Sequence, residues 1–172
     1  MSYDQIVQKN EYFLKKGYIY IPGLPTLIST VLGSGVSVCL WDRKKQRGGM
    51  NYFLYPEPHD RRDTRPVYGN VATIALVKFF REDGSEIEDL EAQIIGGAVP
   101  LEGASSEHVK IARDNVAVAR KILRCYGIPV VAEDVGGRKG RKVVFNTFTN
   151  EVAILHVDRI RQEDWYPYKG DR

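Results

Sequence analysis

Three histidines, two cysteines and one serine set between glycines are the side chains of this 172-residue chain that could carry covalent or acid–base chemistry. Cys39 could attack only as a thiolate, which needs an accessible, electropositive setting. It lies between Val38 and Leu40 in a strand-like run, which reads as burial. Cys125 closes a helical pattern, and no CxxC spacing joins the two. Both read as reduced thiols of a cytosolic protein. Ser34 sits in Gly33-Ser34-Gly35, but the GxSxG elbow is absent and no base is identifiable beside it. His59 lies in a polar loop, His108 in the first turn of a helix and His156 at a strand end. No two share metal-ligand spacing, so neither a metal nor another cofactor is expected. The glycine pairs Gly48-Gly49, Gly96-Gly97 and Gly136-Gly137 stand at strand ends or strand–turn junctions, and none fits a phosphate-binding motif. They read either as turn residues with positive φ or as places where backbone approaches one cleft.

The elements that would position these groups follow from periodicity. The organising stretch is Ser29 to Pro56, read as two strands joined by a basic connection. The first strand begins Leu32-Gly33-Ser34-Gly35. Alternation from there puts Gly35, Ser37, Cys39 and Trp41 on one face and Val36, Val38 and Leu40 on the other. Both faces carry apolar groups, so the pair is expected to be central in its sheet. Met50 to Tyr55 forms the second strand. Upstream, residues 3–15 suggest a short helix and Tyr18–Ile21 a strand. Downstream, residues 57–66 form a polar loop. A helix covers about Val67–Arg81, with Val71, Ala72, Ala75, Leu76, Phe79 and Phe80 as its apolar face. Leu90–Ile95 is a strand. A second helix spans about Ser106–Cys125, capped by Ser105 or Ser106, closed by Gly127, and buried through Ala112, Val116, Ala119 and Leu123. Ile128–Ala132 is a strand. Lys142–Phe148 and Glu151–Val157 form a hairpin turned at Thr149-Asn150. The tail 158–172 is polar and aromatic.

Strands outnumber helices without a regular βαβ order. The expected fold class is α+β, a single domain with a mixed β-sheet core covered by two amphipathic helices. A net charge of +3 and a 43% hydrophobic content fit a globular chain and do not call for nucleic acid as a partner. The apolar runs are too short to span a bilayer, and no signal peptide is visible, so a cytoplasmic location is expected.

Seven segments in unbroken order, from Gly17 to Val157, carry a resemblance. They are GYIYIPGLPTLISTVLGSG, VSVCLWD, GGMNYFLYP, YGNVA, DLEAQIIGGA, ARDNVAVARKIL and GIPVVAEDVGGRKGRKVVFNTFTNEV. Together they resemble the CheD family of chemoreceptor glutamine deamidases, with residues 1–16 and 158–172 as extensions. The resemblance implies a cysteine-hydrolase fold like that of deamidating toxins and a bacterial or archaeal chemotaxis role. Its implied partners are the cytoplasmic region of a chemoreceptor and a CheC-like phosphatase. In active relatives a cysteine thiolate attacks the glutamine amide and a histidine moves the proton, oriented by an upstream hydroxyl.

The resemblance places the nucleophile at Gly35, the histidine at Tyr52 and the hydroxyl at Ser29. Gly35 has no attacking atom, and a phenol with a pKa near ~10 is a poor base at neutral pH. Deamidation by the family mechanism is therefore excluded at Gly35. The reading is a pseudoenzyme that keeps the scaffold and binds without turnover. Its cleft candidates are Gly33, Ser34, Gly49, Gly96, Gly97, Gly136 and Gly137. Two alternatives remain: a hydrolase with a relocated nucleophile at Cys39 or Ser34, and a small-molecule sensor using the space between Gly35 and Tyr52.

Overall fold

The computed structural model describes residues 10–100, 102–161 and 164. Among the described residues, nine strands form two sheets. In chain order they are β1 (Glu11–Phe13), β2 (Ile19–Tyr20), β3 (Leu27–Leu32), β4 (Val36–Asp42), β5 (Arg47–Asn51), β6 (Leu90–Gly96), β7 (Val130–Val135), β8 (Gly140–Asn146) and β9 (Val152–Val157). A four-stranded sheet runs β1-β3-β8-β9 and a five-stranded sheet β2-β5-β4-β6-β7. Two helices, α1 (Gly69–Glu82) and α2 (Ser106–Tyr126), pack on the five-stranded sheet. The layers are thus sheet, sheet and helix pair. The fold is α+β, as expected, with the β core divided between two sheets. Each sheet is mixed, since β1 pairs parallel to β3 and β7 parallel to β6.

Strand β4 explains this layering. It lies third of five in its sheet, between β5 and β6. Its Val36, Val38 and Leu40 join Phe53, Leu76, Phe80, Ile94, Val116 and Leu123 in the core beneath the helices. Its Cys39 faces the other way, into a second core with Ile28, Leu32, Met50, Tyr52, Ile95, Val143 and Phe145. Alternation along one strand therefore feeds both interlayer cores. Helix α2 begins where the Ser105 side chain accepts the His108 backbone N–H, and ends at Gly127 with φ 74°. Its buried Ala112, Val116, Ala119 and Leu123 are those the spacing marks.

Four expectations are corrected. Glu11–Phe13 is strand rather than helix: its backbone pairs with Leu27–Ser29, and the Tyr12 ring stacks on Tyr20 at 3.8 Å. A weak apolar stripe is no match for an available sheet edge. The earlier part of that expected helix, 3–9, lies outside the described residues, as does most of the tail 158–172. Secondly, the first central strand starts at Val36, not Leu32. Leu32 ends β3 in the other sheet, so Gly33-Ser34-Gly35 is the crossing between sheets. Thirdly, Phe79 is 44% exposed, while Thr73 and Val77 are fully buried on α1. Lastly, β7 reaches Val135, so Glu133 and Asp134 are strand residues.

Candidate functional site

The crossing from β3 to β4 is held at each of its three carbonyls. Gly33 accepts the Ala98 N–H at 3.0 Å and Gly35 accepts the Gly97 N–H at 3.0 Å. Ser34 accepts from the Asn115 side-chain amide at 3.1 Å. The same Asn115 amide donates to Leu54 at 3.0 Å, which ties the crossing to the segment just after Tyr52. Asn115 is fully buried on α2. Sequence reasoning passed over it; the available signal was a polar residue inside the apolar stripe Ala112-Asn115-Val116-Ala119. Close approach at the crossing also requires glycine at 96. Gly96 has φ 120°, and a Cβ there would collide with the Gly35 carbonyl.

Gly35 and Tyr52 are neighbours. A Cβ built on Gly35 would stand 2.7 Å from Tyr52 Cε2, 2.9 Å from the Phe53 carbonyl oxygen and 3.2 Å from Leu54 Cδ2. Tyr52 is 1% exposed. Val36 and Phe53 exchange both backbone hydrogen bonds at 3.0 Å, and Tyr52 donates its N–H to Tyr18 at 3.1 Å, so the approach is fixed by backbone pairing. The Tyr52 hydroxyl has no protein hydrogen-bond partner among the described residues. Burial drives its pKa upward, so the phenol stays protonated and cannot serve as a base at neutral pH.

Ser29 is not part of this pair. It pairs with Val144 on β8 and lines a cavity of about 470 Å³ with Val144, Leu155 and Asp164 on the outer face of the four-stranded sheet. The neighbouring Thr30 is the buried hydroxyl, and it donates to the Leu14 carbonyl at 2.7 Å. Cys39 is fully buried and desolvation pushes its thiol pKa up, the opposite of what a nucleophile needs.

The cleft candidates fall into two groups. Gly49 lies away from the crossing: a Cβ on it would stand 2.7 Å from Ile21 Cγ1 and 3.0 Å from Phe80 Cε2. The other six gather around the crossing. Gly33 and Ser34 line a cavity of about 420 Å³ with Ala98, His108, Arg138 and Arg159. Gly97, Gly136 and Gly137 line an adjoining hollow of about 290 Å³ with Ala112 and Arg113. Gly96 sits between them in the backbone, its carbonyl accepting the Gly136 N–H at 2.9 Å.

Beside this region Arg141 is 3% exposed and bonds Asp134 at 2.9 Å and the Gly136 carbonyl at 2.8 Å. His156 Nε2 lies 3.0 Å from the same Asp134 oxygen. Desolvation raises the Asp134 pKa, but hydrogen bonds from His156 and Arg141 outweigh it and leave the carboxyl below its ordinary value. The cluster joins β8 and β9 of one sheet to β7 of the other. His59, His108 and His156 do not converge, and no group of three potential metal ligands occurs among the described residues. No described helix is long and apolar enough to cross a membrane.

The comparisons with known proteins bear on this arrangement. A family model described as CheD chemotactic sensory transduction matches residues 54–156. A probable chemoreceptor glutamine deamidase CheD from Trichlorobacter lovleyi is 39% identical over 144 residues, covering 84% of this chain and 89% of that protein. The chain belongs to the CheD family. A CheD of the same description from Sulfurimonas denitrificans is 32% identical across 86% of this chain and 94% of its own. One from Rhodospirillum rubrum is 40% identical across 83% and 80%. The CheD model match begins at Leu54, two residues after Tyr52. It therefore takes in α1, β6, α2 and β7 to β9, while Gly35 and Tyr52 fall outside its span. The curated relatives match longer stretches, 84% and 86% of this chain, which necessarily include both Gly35 and Tyr52.

Proposed function

We propose that this CheD-family chain does not deamidate and instead binds the cytoplasmic region of a chemoreceptor through the surface around the β3–β4 crossing. The single observation that carries the reading is the Tyr52 ring packed where a side chain on Gly35 would stand. A thioester cannot form at a residue with no side chain, and a fully protonated, buried phenol cannot take a proton from a nucleophile. The curated relatives are named for action on chemoreceptor glutamines, which supplies the partner class. The cavity over Gly33 and Ser34 stays open beside the filled position, so a surface for binding persists. A CheC-like phosphatase is the second partner to test.

Relocated chemistry has little support. Cys39 is sealed between the sheets. Ser34 is exposed, but its side chain has no hydrogen-bonded base among the described residues. The experiment is a binding measurement between the purified chain and a cytoplasmic receptor fragment, with a CheC-like protein in parallel. Saturable receptor binding without ammonia release is the expected result. Release of ammonia, or absence of receptor binding, rejects the proposal.

A further inference from the structure

We infer that the cavity over Gly33 and Ser34 is a carboxylate site, suited to a glutamate side chain of the receptor rather than to a glutamine; this rests on the receptor-binding reading above. The cavity is lined by Ser34, His108, Arg138, Asp158, Arg159 and Ile160, among others. Its floor is the crossing itself, whose three carbonyls are already satisfied by Ala98, Asn115 and Gly97. Each floor carbonyl thus already accepts one hydrogen bond, which reduces what the floor offers to a ligand amide. Ile160 forms an apolar wall, its Cδ1 standing 3.8 Å from where a Cβ on Gly33 would be.

The charges at the mouth are unbalanced. Neither Arg138 nor Arg159 has a carboxylate or hydrogen-bond partner among the described residues. Asp158, the carboxylate lining the cavity, lies 3.4 Å from Lys139 and is largely exposed. Two arginines thus face a cavity whose acidic member is already engaged by a third cation. A guanidinium presents paired N–H donors that match both oxygens of a carboxylate, whereas a primary amide offers one acceptor oxygen and adds donors of its own. A volume of about 420 Å³ is ample for a glutamate side chain. Glutamate is what hydrolysis of a glutamine amide leaves behind. The site would read the product of the reaction that the relatives are named for, without performing it.

The test compares two receptor fragments that differ only by glutamine or glutamate at the modified positions. Each is titrated against the wild-type chain and an R138Q/R159Q variant by calorimetry at fixed ionic strength. Free glutamate and free glutamine are titrated as separate probes. The expected result is a preference for the glutamate fragment of roughly fivefold or more, scaled to solvent-exposed charge-assisted bonds. The R138Q/R159Q variant should lose that preference, binding the glutamate fragment no more tightly than the glutamine fragment. A response to free glutamate would show that the carboxylate alone is recognised; its absence, with the fragment preference intact, assigns recognition to the side chain on its helix. Equal binding of both fragments by wild type overturns the carboxylate site and leaves receptor binding standing. Failure of both fragments to bind overturns both.

Discussion

The Tyr52 ring occupies the space that a side chain on Gly35 would need: its Cε2 stands 2.7 Å from the position of a Cβ there. Glycine and tyrosine are thus a volume-matched pair, small on β4's threshold and large opposite it. The match makes each substitution dependent on the other. Gly35→Cys alone should cost about 1–3 kcal/mol, because the new atoms meet both the ring and the Phe53 carbonyl. Tyr52→His alone should cost about 2–4 kcal/mol through lost packing. In the double variant G35C/Y52H the smaller ring makes room for the thiol. The sum of the single costs should exceed the double cost by about 1 kcal/mol or more, read from urea denaturation as a double-mutant cycle. Strict additivity would mean that the two positions are not packed against each other.

Asn115 tests whether the crossing is held from the helix side. Its amide serves the Ser34 and Leu54 carbonyls together. Asn115→Ala should destabilise the chain by about 1–3 kcal/mol, since two carbonyls lose a buried donor. Hydrogen exchange should rise in the segments around 33–36 and 53–55 before it rises in β8 and β9. Uniform acceleration across the chain would count against a local tether.

Arg141 tests how the two sheets are joined beside the cavity. Its buried guanidinium bonds Asp134 and Gly136. Arg141→Met keeps much of the aliphatic stem but leaves these acceptors to water and His156. The expected loss is about 2–3 kcal/mol by chemical denaturation. A variant as stable as wild type would show that the β7–β8 contact does not depend on this ion pair.

Two buried acids set the alkaline limit. The Cys39 thiol and the Tyr52 phenol both have pKa values raised by burial. In the unfolded chain they titrate near ~8.5 and ~10. Above those values the unfolded state releases protons that the folded state keeps, so the slope of stability against pH is negative. Stability from these groups is fully present below about pH 8.5 and falls as pH rises, by up to ~1.4 kcal/mol per unit for each group. The C39A/Y52F variant should flatten the decline, apart from the share of Tyr12, whose phenol burial also raises. An unchanged slope would contradict the burial of both groups. The same burial makes Cys125 the thiol that labels in the folded chain, since it is exposed and Cys39 is not.

Much of the fold was legible because strong local signals agreed with the tertiary structure. The capped α2 helix, the β8–β9 hairpin and the double-faced β4 were all readable from periodicity, Ser105 and Gly127. The division into two sheets was not, because Gly33-Ser34-Gly35, where the chain changes sheets, reads as the small-residue start of a strand as readily as a crossing between two strands. Nothing local distinguishes a strand that continues from one that crosses over. At the site, the resemblance drew attention to Gly35 and Tyr52, but their contact was not legible. Ser29 illustrates the limit most clearly: the resemblance implies a partner for Tyr52 there, and strand alternation sends it to the opposite face. Asn115 was illegible for a similar reason, since its partners are carbonyls 81 and 61 residues away.

The central claim is that the packed Gly35–Tyr52 pair performs no amide hydrolysis. The direct measurement is mass spectrometry of a glutamine-bearing receptor fragment after prolonged incubation with the purified chain, with ammonia followed in parallel. The account predicts an unchanged fragment mass and no ammonia above the enzyme-free control. A mass shift from amide to carboxylate that depends on this chain, and that disappears in Ser34→Ala, would contradict it.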